Sequence, residues 1–247
     1  MDLEKIRSAV CGELYYYDSI DSTNSEALRH GNAADMSLFL AGEQTAGRGR
    51  KGRSWQAYKG GIYMTVLLKP DSISGGISAL TLMAGLAAAR MIPGSRIKWP
   101  NDIILGSKKA AGILTESKIS GNSGVIAVGI GINANNTGFS EELAEKATSI
   151  YLFSGEKQDE TEIVTGIYKE LLRLYKDFNK GFSKLLDGYR EKCITLNREI
   201  KVVKDGKECV MKAIDIGENG ELIAEENGKI HRIAFGEVSV RGLLGYL

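Results

Sequence analysis

The chain reads as an α+β protein, a mixed β-sheet domain flanked by helices over residues 1–197 followed by a small β-barrel over residues 198–247. Three observations predict this. Short runs rich in β-formers alternate with helical apolar patterns through the first two thirds of the chain. One 16-residue apolar stretch, Ile77 to Ile92, is interrupted by Arg90 and too short to span a bilayer, so it is a buried helix. After Arg198, three Asx-Gly pairs recur between β-rich runs.

In chain order, Leu14 to Asp18 and Met36 to Ala41 are β-rich runs around a helix from Thr23 to Arg29. Thr23 and Glu26 form a capping-box pair, and Gly31 is a suitable stop. Ile62 to Lys69 alternates as a strand. After the Ile77–Ile92 helix come three strands near Arg96 to Leu105, Ala110 to Ser117 and Gly124 to Asn133, with Gly106-Ser107 at a hairpin tip. Glu160 to Lys180 carries a helical stripe of Ile163, Ile167, Leu171, Leu174 and Phe178. The pairs Asp205-Gly206, Asn219-Gly220 and Asn227-Gly228 mark a meander of short strands, which closes most easily into a small barrel.

Composition bounds the function. With 247 residues and 43% hydrophobic content, the chain can bury one substantial core and a small appended unit. The three cysteines are far apart and there are only two histidines, so neither a disulfide framework nor a Cys/His metal site is expected, and the cysteines read as packing residues. No secretory signal pattern opens the chain, which points to the cytoplasm and to no membrane partner.

Net charge is only +1, yet Arg48, Arg50, Lys51 and Arg53 fall within six residues of the stretch Gly47 to Trp55. No Asp or Glu occurs from Gln44 to Pro70. A neutral chain that concentrates cations on one glycine-rich loop aims them at a defined anion, because the field is local and the backbone there can approach closely. A nucleic-acid module would show a larger basic face with interleaved aromatics. The second motif is Lys98-Trp99-Pro100-Asn101-Asp102, followed by Lys108-Lys109-Ala110-Ala111-Gly112-Ile113-Leu114. Pro100 forces Trp99 into an extended conformation and ends the strand abruptly, leaving Asn101 and Asp102 at its edge with Lys109 on the next strand.

These motifs, with Gly129-Ile130-Gly131-Ile132-Asn133 and the upstream Asp21-Ser22-Thr23-Asn24 and Glu43-Gln44-Thr45-Ala46, resemble the biotin–protein ligases in order and content. Lipoate ligases share the general chemistry, but GRGRKGRSW and KWPND fit the biotin enzymes better. The resemblance runs from about residue 15 onward, leaving no room for the helix-turn-helix module of longer relatives, so DNA binding through it is not expected. It implies a class II synthetase-like catalytic domain, an SH3-like C-terminal barrel, ATP and biotin as substrates, Mg²⁺ as cofactor, and a biotin carboxyl carrier protein as acceptor. A homodimer is left open.

The resemblance assigns Lys109, Arg50 and Asp102 to catalysis. Ser22, Thr23, Asn24, Gln44, Arg48, Gly49, Arg50 and Lys109 are expected to hold biotin and its adenylate, and Arg53, Trp55, Asn101 and Asn133 the nucleotide. Ser22 and Thr23 also suit helix capping, a compatible role. Asp102 is read either as the group that receives the incoming amine's proton or as a Mg²⁺ ligand. Trp55 is expected to stack on adenine, Trp99 to serve the structure, and Lys108 to face solvent.

Overall fold

The computed structural model describes residues 1–70, 76–120, 123–178, 182–204, 207–235 and 239–242. A helix α1 (Leu3–Ala9), capped by Asp2, precedes strand β1 (Leu14–Ile20), helix α2 (Thr23–Arg29) and strand β2 (Ser37–Gln44). The basic loop makes a single 3-10 turn at Arg50–Gly52 and leads into β3 (Gly61–Leu68). Helix α3 (Gly76–Met91) is followed by β4 (Arg96–Lys98), β5 (Asp102–Leu105), β6 (Lys108–Ser120) and β7 (Ser123–Asn133). Four helices come next, α4 (Glu141–Ala144), α5 (Ile150–Ser154), α6 (Glu160–Phe178) and α7 (Phe182–Lys192). The chain ends in β8 (Glu199–Lys204), β9 (Lys207–Ile216), β10 (Leu222–Glu226), β11 (Lys229–Ile233) and β12 (Ser239–Gly242).

The expected mixed sheet has seven strands in the order β1-β2-β3-β7-β6-β5-β4. Only β1 and β2 run parallel, so α2 is their crossover, and its N-terminus emerges directly from the carboxyl end of β1. Every residue of β3 is buried, as suits a central strand covered on both faces. Helix α3 is buried on all sides from Ala79 to Ala89, between the sheet and helices α6 and α7, which explains a sequence apolar around its whole circumference. No described helix is long and apolar enough to cross a membrane.

The second sheet is antiparallel, in the order β11-β10-β9-β8-β12. Asn227 and Gly228 take positive φ at the β10–β11 turn, and Gly220 does so between β9 and β10, as their sequence signals require. The Asp205-Gly206 pair and the end of the helix expected to reach Lys180 lie outside the described residues. This unit is fastened to the larger one by side chains. Trp99 donates its indole N–H to Gly220 O and packs edge-on against Phe235, while Arg190 of α7 binds Asp215 and the Ile216 carbonyl.

Several expectations are corrected. Ser22, in extended backbone, caps α2 through Ser25 N, so Thr23 is the first helical residue. Glu26 turns outward to Tyr17, Arg29 and His30 instead of closing a capping box. The strand expected from Arg96 to Leu105 is two strands folded back at Trp99-Pro100-Asn101, with Lys98 opposite Asp102. Lys108 does not simply face solvent, because its ammonium bonds the Ala144 carbonyl at the end of α4. Cys193 is buried as a packing residue, whereas Cys11 is exposed.

Candidate active site

One pocket gathers almost the whole expected set. It is lined by Ser22, Thr23 and Asn24 from α2, Gln44 from β2, Arg48, Gly49, Arg50 and Trp55 from the loop, and Asn101 and Lys109 from the β4–β6 hairpins. Its floor is the surface of β3, β6 and β7, where Tyr63, Met64, Gly112, Ile113, Gly129 and Gly131 join it. Glycines make the floor possible. A Cβ on Gly129 would fall 2.1 Å from Asn24 Oδ1, and one on Gly131 would fall 2.7 Å from the Trp55 ring. The G-x-G pattern on one strand carried this signal, since residues two apart face the same side.

The uncharged polar groups form a connected network. Gln44 Oε1 accepts from the Thr23 amide at 2.8 Å and from its hydroxyl at 3.0 Å. The Thr65 hydroxyl, fully buried beneath, lies 2.8 Å from Thr23 Oγ1 and 2.7 Å from Asn24 Oδ1. Thr65 is one residue that sequence reading missed, because a threonine in a β-rich run reads as a strand former.

Each cation of the lining has a partner. Lys109 Nζ lies 2.5 Å from Asp102 Oδ1 and 5.2 Å from the centre of the Trp55 ring. Arg50 donates to Asn101 Oδ1 at 2.7 Å, with its guanidinium 5.6 Å from the centre of the Phe235 ring. Asn101 is held in turn on β6, its amide donating to Ile113 O and its carbonyl accepting from Ile113 N. Arg48 pairs with Glu116 at 2.7 Å. The counter-charge missing from residues 44–70 therefore comes from distant strands. Burial pushes the Arg50 pKa below its ordinary value, opposed by the charge of Asp102, yet a guanidinium stays cationic at neutral pH.

The loop itself is hydrogen-bonded as a tight turn, with Trp55 N donating to Gly47 O and Gly49 N to Arg53 O. Three expected residues stand apart from the pocket lining. Asp102 reaches it through its ion pair with Lys109. Arg53 is exposed on the loop, and Asn133 is buried with its amide donating to Thr148 O. The cavity left between loop and floor holds about 60 Å³. Sites for drug-sized ligands span roughly 300–1,000 Å³, so the loop and Trp55 must shift to admit one.

This fold and pocket define a class first. Residues 16–133 match the biotin/lipoate A/B protein ligase family, and residues 195–241 match the biotin protein ligase C-terminal domain. The chain is 31% identical to the bifunctional ligase/repressor BirA of Bacillus subtilis, over 95% of this chain and 76% of the relative. It is 29% identical to the biotin–[acetyl-CoA-carboxylase] ligase of Mycobacterium tuberculosis, over 88% and 85% respectively. The solved biotin protein ligase of Aquifex aeolicus in complex with biotin and ATP superposes with a TM-score of 0.82 at 30% identity, covering 93% of this chain and 99% of that one. The chain belongs to the biotin/lipoate ligase family, among its biotin–protein ligases.

Proposed function

We propose that residues 1–197 activate biotin with ATP and pass it to a lysine of a biotin carboxyl carrier protein, with residues 198–247 as a supporting unit. The observation that carries this is one pocket that joins the neutral hydrogen-bonding groups Ser22, Thr23, Asn24 and Gln44 to the cations Arg48, Arg50 and Lys109. Thr23, Gln44 and Ser22 suit a neutral, polar ureido ring, and the glycine floor suits an apolar tail. Arg48, Arg50 and Lys109 suit the meeting of a carboxylate with a triphosphate, where fixed positive charge counts most.

In the first step the biotin carboxylate oxygen attacks the α-phosphorus of ATP, and pyrophosphate leaves. Lys109 sits where its ammonium can exchange Asp102 for the reacting oxygens. That exchange releases Asp102 for the second step. A free lysine has pKa about 10.4 and arrives protonated, so a carboxylate must attract it and take its proton before nitrogen attacks the mixed anhydride and AMP leaves. The Trp55 ring, which lines the pocket over the glycine floor, suits stacking on the adenine.

No cluster of three or more potential metal ligands occurs among the described residues. Mg²⁺ fits this donor set only as an ion carried on the phosphates, with Asp102 and Asn101 as its nearby oxygens, where it would screen phosphate charge. The same reading places the protein in the cytoplasm.

The test is ATP–pyrophosphate exchange. Exchange that requires biotin and is not supported by lipoate is expected. Equal exchange with lipoate, or none with biotin, overturns the reading.

A further inference from the structure

Arg48 is held by a residue that the two chemical steps do not use. Its guanidinium donates to Glu116 Oε2 at 2.7 Å, across 68 residues of sequence. The same oxygen accepts from Asn24 Nδ2 at 2.9 Å. Asn24 cannot follow the loop if the loop moves. It is 3% exposed, its Nδ2 also donates to Leu114 O at 3.0 Å, its Oδ1 accepts from Thr65, and only the bare Gly129 leaves it room. Glu116 is thus fastened to the fixed wall of the pocket on one side and ion-paired to the loop on the other.

We propose that Glu116 is a positioning residue that latches the Arg48 limb of the loop over the biotinyl-adenylate and so sets how long the intermediate stays bound. The proposal rests on the ligase reading. Glu116 is not part of the pocket lining, so its charge acts on the ligand through Arg48. The pair is half-exposed, with 43% and 26% of the two side chains accessible, so it can open and close without stranding a buried charge. A loop that must open for a ligand larger than its cavity, then hold a reactive anhydride until the acceptor arrives, needs a reversible fastening of this kind.

Glu116→Gln isolates the latch. The carboxamide oxygen still accepts from Asn24, so the pocket wall is kept, while the ion pair with Arg48 is reduced to a weaker hydrogen bond from the guanidinium to an uncharged acceptor. The experiment loads the full chain with labelled biotinyl-adenylate and follows its release in a chase with unlabelled adenylate. Release is expected to be about three- to tenfold faster in Glu116→Gln and in Arg48→Gln, and no faster in the double variant than in the faster single one. A Glu116 that only maintains structure would instead raise the KM for biotin and lower the thermal midpoint, with no coupling to Arg48. Unchanged release in Glu116→Gln, or effects that add in the double variant, overturns the latch. If Glu116→Gln fails to fold, Arg48→Gln at its exposed position reads the same latch from the loop side, and unchanged release there overturns it. A wild-type chain that makes no adenylate from biotin and ATP overturns the ligase reading and the latch together, whereas unaltered release from a working enzyme overturns the latch alone.

Discussion

The two tryptophans of this chain meet their surroundings in opposite ways. Trp99 is 3% exposed, its indole N–H bonded to Gly220 O and its ring packed on Phe235. Trp55 lies half-buried over the glycine floor, and its indole Nε1 is buried with no hydrogen-bond partner. A buried donor without a partner costs about 1–3 kcal/mol, so the Trp55 side of the pocket is in a state that other contacts can improve. The Trp99 side is already satisfied. The strand-side motif is built in advance, and the loop-side motif is provisional. Burial and a filled hydrogen-bond complement separate a structural tryptophan from a ligand-facing one, where sequence alone shows two similar basic-aromatic motifs.

The largest effect that tests this contrast is on stability. Trp99→Ala should cost about 3–5 kcal/mol in denaturant unfolding, the range for deleting a buried large side chain. Trp55→Ala should cost about 1 kcal/mol or less while abolishing tight adenylate binding. Equal destabilisation by the two would erase the distinction.

Next comes the pair that links the two sides. Lys109→Ala should slow adenylate formation by roughly 10²–10³, about 2.7–4 kcal/mol in barrier, and preformed biotinyl-adenylate should restore much of the transfer. Asp102→Ala should form the adenylate but transfer it slowly. If both variants fail equally in the first step, Asp102 serves the nucleotide or Mg²⁺ and not the amine. Single-turnover assays of each half-reaction decide between these outcomes.

A smaller effect is expected on the loop. Arg50→Gly should let the intermediate escape about ten- to hundredfold faster, a charged hydrogen bond being worth about 1.5–3 kcal/mol, and free adenylate should then label lysines of bystander proteins. Phe235→Leu removes the ring beneath that guanidinium together with its edge-on contact to Trp99, and should speed escape about two- to fivefold. Labelling confined to the carrier protein in Arg50→Gly would show that Arg50 does not retain the intermediate. The smallest expected change is in amide exchange at residues 47–55, which should slow with biotin and ATP bound. Identical exchange with and without ligand would mean that the loop is as settled as the Trp99 side.

The fold was legible wherever local chemistry and tertiary structure agree. The Asn227-Gly228 turn, the α3 run and the stripe of α6 each carry their own instructions. The α1 and α7 helices were not legible, because short mixed stretches such as Leu3–Ala9 and Phe182–Lys192 gain their helicity from docking on α6 and α3. The site was legible as a set of motifs but not as a network. Glu116 reads as an ordinary outward charge within a strand, and nothing local ties it to Arg48 or Asn24. The cap of α2 was displaced by one residue because Ser22 and Thr23 are equally good capping types, and the Thr23 amide is claimed by Gln44 from another strand.

The pairing of Lys109 with Asp102 and of Arg48 with Glu116 has a consequence for selectivity. A cation that already holds a carboxylate gains little by taking another carboxylate or a phosphate, since one anion merely replaces a similar one. These two residues therefore discriminate weakly among acids. On the proposed function, the choice of acid falls to the uncharged groups of the pocket, Thr23, Gln44 and the bare backbone at Gly129 and Gly131, through shape and hydrogen-bond pattern. On that proposal, substrate identity and substrate activation are assigned to different residues, so that changing one need not change the other.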